Sequence, residues 1–289
     1  MSKRDYQVTL ARVRSALAGG DGTDVVLGVT FMPEAAVRAL AWGTPPRHPA
    51  VMLACSRLEP DFVFVNSWET DTAATCRAVA ECGTVPFWVV RGPLDSAACE
   101  KGWSETLAAT VRDPVGLCEA FDAAVEEACA SVTSAQKCGA GALVVADDLA
   151  GAAGPLVPVD FVVGEIMPRV GRIVRSAAAV GLPVIWHSDG DISSLLEAAA
   201  EQCIVAVHPG ALEEETSSRV LASAADLGLV VLAGLPGSAL RAGVPQAVRA
   251  AASAWLKARQ GGMILCDDGG VSTPEELAAL IAAVQALRM

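Results

Sequence analysis

Two apolar segments that end in acidic or imidazole side chains decide the fold of this chain: LVVADD at Leu143–Asp148 and PVIWHSDGD at Pro183–Asp191. A short continuous apolar run is typical of a strand that is buried on both faces of a parallel sheet. Functional side chains in parallel α/β folds collect at the carboxyl ends of such strands. The polar residues that we expect to share one pocket are Asp147, Asp148, His187 and Asp189.

The pattern around these segments recurs along the chain as an Ala-rich helix, a glycine, an apolar strand and then a polar cluster. Glycine after the last helical turn adopts the left-handed conformation that ends many helices. The predicted junctions are Gly83, Gly139, Gly181, Gly228 and Gly261. The predicted strands are 25–30, 61–66, 85–90, 143–147, 183–187, 204–208, 229–233 and 262–266.

Eight strands alternating with helices predict an α/β protein with a parallel sheet, closed as a (β/α)₈ TIM barrel. An open doubly wound sheet is the alternative. It is disfavoured because the first strand runs into VTFMPE (29–34) and not into a Gly-rich phosphate loop. Without a break in composition, residues 1–289 are predicted to form a single domain, with long loops at 43–49 and 151–158 as candidate lids.

Composition excludes several classes of protein. The 289 residues are 53% hydrophobic with a mean hydropathy of +0.43, enough for a large core, yet no apolar run approaches the ~20 residues of a membrane span. The N-terminus has the pattern of a charged amphipathic helix and not of a signal peptide. Nine cysteines without a CxxC motif favour a reducing cytoplasm. A net charge of −12 argues against nucleic acid. We expect a cytoplasmic protein with a small-molecule substrate. The sequence leaves open whether the chain forms a homo-oligomer.

The candidate metal ligands are His187, Asp189 and Cys266. Residues i and i+2 of a straight strand share one face, so His187 and Asp189 can both point inward. Cys266 ends the last strand, across the predicted barrel mouth. Three protein ligands and one open position describe a catalytic zinc site. The alternative is that Asp189 merely orients the imidazole and that Cys266 is a small buried hydrophobic residue.

Further candidates lie at other strand ends. Arg91 closes an apolar strand, and its guanidinium suits a carboxylate or sulfonate, or a salt bridge with Asp147 or Asp148. Asp147, Asp148 and His187 are the candidates for acid–base catalysis, although one aspartate of such a pair often braces a neighbouring loop. The remaining candidates for substrate contact are Met32, Asn66, Trp68 and His208.

The segments AGALVVADDLAG (140–151), RIVRSAAAVGLPVIWHSDGDISSLLEAAAE (172–201) and IVAVHPG (204–210) carry a resemblance. Their order resembles that of the uroporphyrinogen decarboxylase superfamily, which includes the corrinoid-dependent methyltransferases. The shared features are an aspartate after strand four, a helix ending in Gly-x-Pro, and a histidine on strand five with a glycine three residues later. The segments LAGLPGSAL (232–240) and STPEEL (272–277) are weaker matches. The stretch TFMPEAAVRALAWG (30–43) lacks the arginine pair of the decarboxylases, and Asn66, Ser67 or Trp68 stands where they have a substrate-binding aspartate.

The resemblance implies a function. The methyltransferase branch binds zinc through His-x-Cys on strand five and a cysteine at the end of strand eight; here His187 and Cys266 match, and Asp189 replaces the first cysteine. The leading hypothesis is a cobalamin-linked, zinc-dependent methyltransferase that receives methylcobalamin on a separate corrinoid protein and acts on a small thiol, methoxy or amine compound. The alternatives are a decarboxylase-like lyase that uses Asp147, Asp148 and His187, and a degenerate barrel that binds a ligand without catalysis.

Overall fold

A closed barrel of eight parallel strands forms the centre of the computed structural model, which describes residues 4–20, 26–40, 48–210, 214–261, 263–267 and 271–288. Each barrel strand pairs with the next barrel strand along the chain, and the first strand closes the barrel by pairing with the last. A separate two-stranded antiparallel hairpin lies outside the barrel, between the fourth and fifth barrel strands in the sequence. The strands are β1 Leu27–Val29, β2 Phe62–Asn66, β3 Val85–Arg91, β4 Ala142–Ala146, β5 Ala150–Gly151, β6 Gly154–Pro155, β7 Val184–His187, β8 Ala206–His208, β9 Val230–Leu235 and β10 Met263–Asp267.

Helices connect the strands and surround the barrel. They are α1 Tyr6–Leu17, α2 Glu34–Leu40, α3 Pro49–Ala54, α4 Thr72–Glu81, α5 Pro93–Lys101, α6 Trp103–Arg112, α7 Pro114–Lys137, α8 Val159–Phe161, α9 Met167–Ala179, α10 Leu196–Glu201, α11 Glu214–Asp226, α12 Gly237–Arg241, α13 Val244–Gly261 and α14 Pro274–Arg288. A π-helical turn, Val162–Ile166, joins α8 to α9, and a 3₁₀ turn, Ser193–Leu195, precedes α10.

The two faces of each strand serve different cores. In β4, Ala142, Val144 and Ala146 belong to the cluster that fills the barrel. Leu143 and Val145 belong instead to the cluster beneath the helices. This alternation follows from the two-residue period of a strand, and it also fixes which polar residues beyond a strand end can enter the barrel mouth.

The amino-terminal end of the barrel is closed by α1. Its apolar side chains Val13 and Leu17 are buried in the cluster that fills the barrel. Arg12 from this helix and Arg4 ahead of it both bond the carboxylate of Asp61, the residue before β2. The opposite, carboxyl-terminal end is therefore where a parallel barrel can hold a site.

The predicted barrel is confirmed and the open sheet is wrong. All eight predicted strands occur, although β1 and β8 are shorter than expected and residue 25 lies outside the described residues. Gly139 and Gly181 adopt φ angles of 84° and 76°, which confirms their helix-ending role, whereas Gly261 is the last residue of α13. Part of the predicted loop at 151–158 is the β5–β6 hairpin, and residues 43–47 lie outside the described part. No helix within the described ranges combines the length and apolarity that crossing a membrane requires.

Candidate functional site

The centre of the barrel mouth is His187, the last residue of β7. Two residues earlier, Ile185 fills the barrel interior, so strand alternation turns His187 inward as well. Asp148 follows Ala146 by two residues and reaches the same side. The side chain of His187 is 10% exposed and that of Asp148 34%, so the imidazole is nearly enclosed while the carboxylate stays open to a ligand.

The two ring nitrogens of His187 have different surroundings. Nδ1 lies 3.0 Å from the main-chain oxygen of His208. Nε2 faces two carboxylates, at 3.7 Å from Oδ1 of Asp148 and 3.9 Å from Oδ1 of Asp189. Asp189 lies in the loop beyond β7, where its main-chain N–H donates to Oδ1 of Asp148 at 2.9 Å. The expected pairing of His187 with Asp189 thus occurs, but a loop and not a straight strand provides it.

This arrangement fits a metal ion by its donor chemistry. One donor atom from each of Asp148, His187 and Asp189 lies within 4.8 Å of the other two. Ligands of a tetrahedral zinc at ~2.0–2.2 Å are separated by roughly 3.4 Å, only slightly less than the observed spacings. An imidazole that binds metal through one nitrogen usually donates its other N–H to a carbonyl or carboxylate, as the carbonyl of His208 allows here. Nitrogen and carboxylate oxygen are both zinc ligands.

Cys266 does not belong to this cluster of donors. The structure groups His187 and Asp189 with Asp148, and not with the thiol that the sequence predicts as their third partner. Cys266 is fully buried, within the cluster of side chains that fills the barrel together with Phe62 and Phe87. The reason is positional: Cys266 is one residue short of the end of β10, whereas Asp148 and Asp189 extend beyond their strands.

His208 supports His187 from the neighbouring strand. The Nδ1 atoms of the two imidazoles are 2.8 Å apart. With a proton on Nδ1 of His187, the ring of His208 accepts at Nδ1 and carries its own proton on Nε2. Burial and then the charge of His187 hold the pKa of His208 well below its usual range, although the main chain of Asp267 acts in the opposite direction. His208 is therefore a neutral hydrogen-bond partner at neutral pH.

Asp147 faces away from the mouth. Strand alternation turns it outward from the barrel, and it is fully buried against the start of α5. The main-chain N–H of Asp95 donates to its Oδ1 at 2.8 Å. Burial, followed by the nearby carboxylate of Asp95, raises the pKa of Asp147 well above its usual range, while hydrogen bonds from the main chain of Asp95 and Leu94 lower it. Asp147 is thus a brace for α5 and does not reach the cluster around His187.

Asp95 is a site residue that the sequence analysis missed. It lies in the first turn of α5, and the main-chain N–H of Asp148 is 3.4 Å from its Oδ1. Burial and then Asp148 raise the pKa of Asp95 to about 6, although the charges of His187 and Arg91 act against the shift. The sequence signal is the short GPLD connection after Arg91, where Pro93 starts the helix at once and brings its first turn over the mouth.

The other residues that the sequence predicts as substrate contacts lie outside the cluster of metal donors. The guanidinium carbon of Arg91 lies 4.1 Å from the ring centre of Trp68, and no carboxylate in the described part of the chain forms a salt bridge with it. Nδ2 of Asn66 donates to Glu69 at 2.7 Å. Phe31 packs 5.1 Å from the ring of His187, whereas its neighbour Met32 packs against the separate apolar cluster beneath the helices.

Comparison with known proteins shows the fold and no family. No protein-family model matches the chain, and neither does any curated protein sequence. Similar solved structures include a methyltransferase from Methanosarcina mazei, with 17% identity, 99% of this chain and 86% of that chain covered, and a TM-score of 0.58. A Schiff base-forming fructose-1,6-bisphosphate aldolase matches at 13% identity, with 98% and 99% covered and a TM-score of 0.52. A D-psicose 3-epimerase from Clostridium cellulolyticum H10 matches at 8% identity, with 91% and 97% covered and a TM-score of 0.50. These structures share the TIM-barrel fold of enzymes with different activities.

Proposed function

We propose that this protein is a zinc-dependent methyltransferase of the corrinoid-linked kind, acting on a small thiol, methoxy or amine compound. The observation that carries the proposal is the set of three donors, His187, Asp148 and Asp189, at the carboxyl end of the barrel. The resemblance of the segments around His187 to corrinoid-dependent methyltransferases supports the proposal. The similarity in fold to a methyltransferase of known structure is compatible with it.

The three donors would hold zinc with one position left for the acceptor. His187 would bind through Nε2, because its Nδ1 is engaged by His208. Zinc, when bound, supplies a Lewis acid that lowers the pKa of a thiol or other heteroatom and makes it a nucleophile at neutral pH. In this proposal Asp148 would take the place that the resemblance assigned to Cys266, so the donor set would contain no thiolate.

Residues around the donors would bind the acceptor and receive its proton. Arg91 lies with its guanidinium carbon 4.1 Å from the ring centre of Trp68, and this cation would bind a carboxylate or sulfonate of the acceptor. Asp95 lies beside Asp148, and its carboxylate would take the proton from the acceptor. Phe31 packs with its ring centre 5.1 Å from that of His187 and would help to keep water from the imidazole.

The methyl donor in this proposal is methylcobalamin carried by a separate corrinoid protein, which would approach the open carboxyl end of the barrel. The reverse reaction, demethylation of a methoxy or methylamine compound onto the corrinoid, uses the same groups. A zinc site and a corrinoid partner are separate parts of the proposal, and they call for separate measurements.

A decarboxylase-like lyase is the second candidate. It is favoured by the carboxyl group of Asp95, whose pKa is raised to about 6 and which lies beside Asp148 without any need for a metal. In that reaction Arg91 would bind the substrate carboxylate, and His187 would transfer the proton. A protein that binds no metal yet loses activity on substitution of His187 would support this candidate.

The metal part of the proposal is tested by zinc titration of the purified chain after chelator treatment. We expect one equivalent to bind the wild type, and His187→Ala and Asp148→Asn to lower zinc affinity at least tenfold. Cys203→Ala is the control for a distant thiol and should bind as the wild type does. Cys266→Ser separates the two ligand sets, because it should leave affinity unchanged if Asp148 is the third ligand. No binding by the wild type would refute the zinc-dependent reaction.

The methyl-transfer part is tested with free methylcobalamin and a panel of small thiols. Demethylation changes the absorption spectrum of the corrinoid, so turnover can be followed directly. We expect activity that requires zinc and is lost in His187→Ala. A wild type that binds zinc and transfers no methyl group to any thiol, and takes none from methoxy or amine donors, would contradict the methyltransferase assignment while the metal site stands.

A further inference from the structure

Two cysteines at the barrel end opposite the mouth form a close pair. Cys55 directly follows α3 and Cys82 directly follows α4, and these helices pack side by side around β2. Their Sγ atoms are 2.9 Å apart. Both carry thiols, and Cys55 is exposed while Cys82 is half-buried. The pairing brings together residues that are 27 positions apart in the chain.

We propose that Cys55 and Cys82 are a reversible thiol–disulfide modification site. A disulfide requires a sulfur separation of about 2.05 Å, so the two atoms need to approach by less than about 1 Å. The proposal requires only this small movement of the two side chains, which follow the ends of α3 and α4. The proposal is independent of the proposed methyl transfer.

The other cysteines offer a contrast. Cys76 and Cys138 are also near one another, but both are buried, and burial followed by the charge of Cys138 raises the pKa of Cys76 to about 12. A thiol of that pKa carries almost no thiolate and is a poor site of exchange. Cys99 and Cys203 are exposed, yet among the described residues neither has another cysteine within hydrogen-bonding distance. Cys55 and Cys82 combine proximity with access.

Glutathione disulfide is a sufficient oxidant. The thiolate of one cysteine attacks it, forms a mixed disulfide and releases one glutathione thiolate. The thiolate of the second cysteine then displaces the other glutathione, so two protein thiols are oxidised and one glutathione disulfide is reduced to two thiols. Proximity of the two cysteines makes the second step intramolecular and fast. A cytosolic disulfide of this kind is typically transient and sensitive to the redox state.

The test equilibrates the full-length reduced protein with glutathione buffers of increasing oxidised fraction, blocks remaining thiols with N-ethylmaleimide and maps the peptides by mass. We expect a cross-linked peptide pair containing Cys55 and Cys82, lighter by two hydrogen atoms than the reduced pair. Cys99→Ser should retain the cross-link, and Cys55→Ser and Cys82→Ser should abolish it. Addition of a dithiol reductant should reverse it.

The same reaction in urea shows whether the fold causes the pairing. We expect cross-linking of 55 to 82 to be faster in native buffer than in denaturant, where the intervening chain is free. Native protein in which both cysteines are alkylated at the highest oxidised fraction would overturn the proposal. So would a glutathione adduct that persists on Cys55, or a cross-link that forms only in urea. The wild-type mapping decides these outcomes even if a serine variant fails to fold.

Discussion

Two fully buried aspartates, Asp61 at the closed end of the barrel and Asp147 beside its mouth, have opposite surroundings. The carboxylate of Asp61 bonds the guanidinium groups of Arg4 and Arg12, and its Oδ2 accepts from the main-chain N–H of Leu27 at 2.9 Å. The carboxylate of Asp147 accepts from the start of α5 through one oxygen, and its Oδ2 lacks a hydrogen bond within the described part of the chain.

Asp61 lies at the end of the barrel that ion pairs hold together, whereas Asp147 lies near the end that can hold a ligand. Buried polar groups are normally satisfied, and Asp147 is the exception of the two. At the closed end, arginines from both termini hold the 58–61 segment, because Arg288 also donates to the main-chain oxygens of Leu58 and Glu59 at 3.1 and 2.9 Å. At the mouth, Asp148 and Asp189 lie beside His187, and Arg91 is the nearby cation.

The largest expected effect is at the closed end. Asp61→Asn should lower the free energy of unfolding by about 3 kcal/mol, because removing one partner of a buried ion pair leaves the other uncompensated. We expect a loss at the low end of the range for buried ion pairs, because the side chains of Arg4 and Arg12 are 24% and 32% exposed and water can partly solvate them. Urea denaturation at neutral pH measures the change.

An exposed ion pair provides the matched control. Glu34 and Arg38 pair along α2 with half of each side chain exposed, so Glu34→Gln should change the unfolding free energy by less than about 0.5 kcal/mol. If Asp61→Asn costs no more than this control, the two ends of the barrel do not differ as described.

The second prediction concerns Asp95 and pH in metal-free protein. Its pKa rises from 3.8 to about 6 on folding, so the folded state holds the proton more tightly than the unfolded state. The stabilising contribution is therefore complete below pH 3.8 and is lost as the pH rises through about 6. Between pH 4 and 7, the wild type should lose about 2 kcal/mol relative to Asp95→Asn, whose amide does not titrate. Parallel pH profiles of unfolding free energy for the two proteins would show that Asp95 is not perturbed.

The third prediction concerns His208 and depends on the proposed zinc site. His208→Ala should weaken zinc binding by up to roughly tenfold, because it removes the imidazole that orients His187 and leaves only the main-chain oxygen of residue 208, at 3.0 Å, as a partner for Nδ1. His208→Asn is the matched variant, since its amide can reach the position of Nδ1. It should restore binding to within a few-fold of the wild type in zinc titrations. Equal weakening by both variants would indicate that packing, and not this hydrogen bond, supports His187.

Much of the fold could be predicted because the barrel strands are local apolar runs that end in polar residues, and five of the eight follow a glycine that ends a helix. The lengths of β1 and β8 could not be predicted, since the point where a strand ends depends on its pairing with the neighbouring strands. Within the site, His187 and Asp148 were predictable from strand alternation. Asp95 was only partly predictable, because the GPLD connection indicates where α5 begins but not that its first turn packs over the mouth.

Whether Cys266 can reach the predicted metal site also depends on contacts between strands that are distant in the sequence. Cys266 satisfies the sequence pattern of a residue at a strand end, yet its depth in the barrel depends on the register of β10 against β1 and β9. That register places Cys266 beside Gly28 and Gly234, one residue short of the strand end. Non-local pairing of this kind cannot be read from the spacing of residues within one segment.

The last prediction concerns Asp147, where loss of the charge should cost much less than at Asp61 or should stabilise the fold. Asp147→Asn keeps an acceptor for the main-chain N–H of Asp95 and removes a buried carboxylate whose second oxygen has no hydrogen bond among the described residues. Burial raises its pKa, so the charged form is unfavourable in the fold. We expect the unfolding free energy at neutral pH to stay within about 1 kcal/mol of the wild type, or to rise.

Asp147→Ala, which also removes the acceptor at the start of α5, should instead lose about 1–2 kcal/mol of unfolding free energy. Because Asp147 faces away from His187, zinc affinity should be the same in Asp147→Asn and the wild type. A large loss of stability in Asp147→Asn would mean that a cation or a further donor compensates this carboxylate, and the contrast between the two ends of the barrel would then disappear.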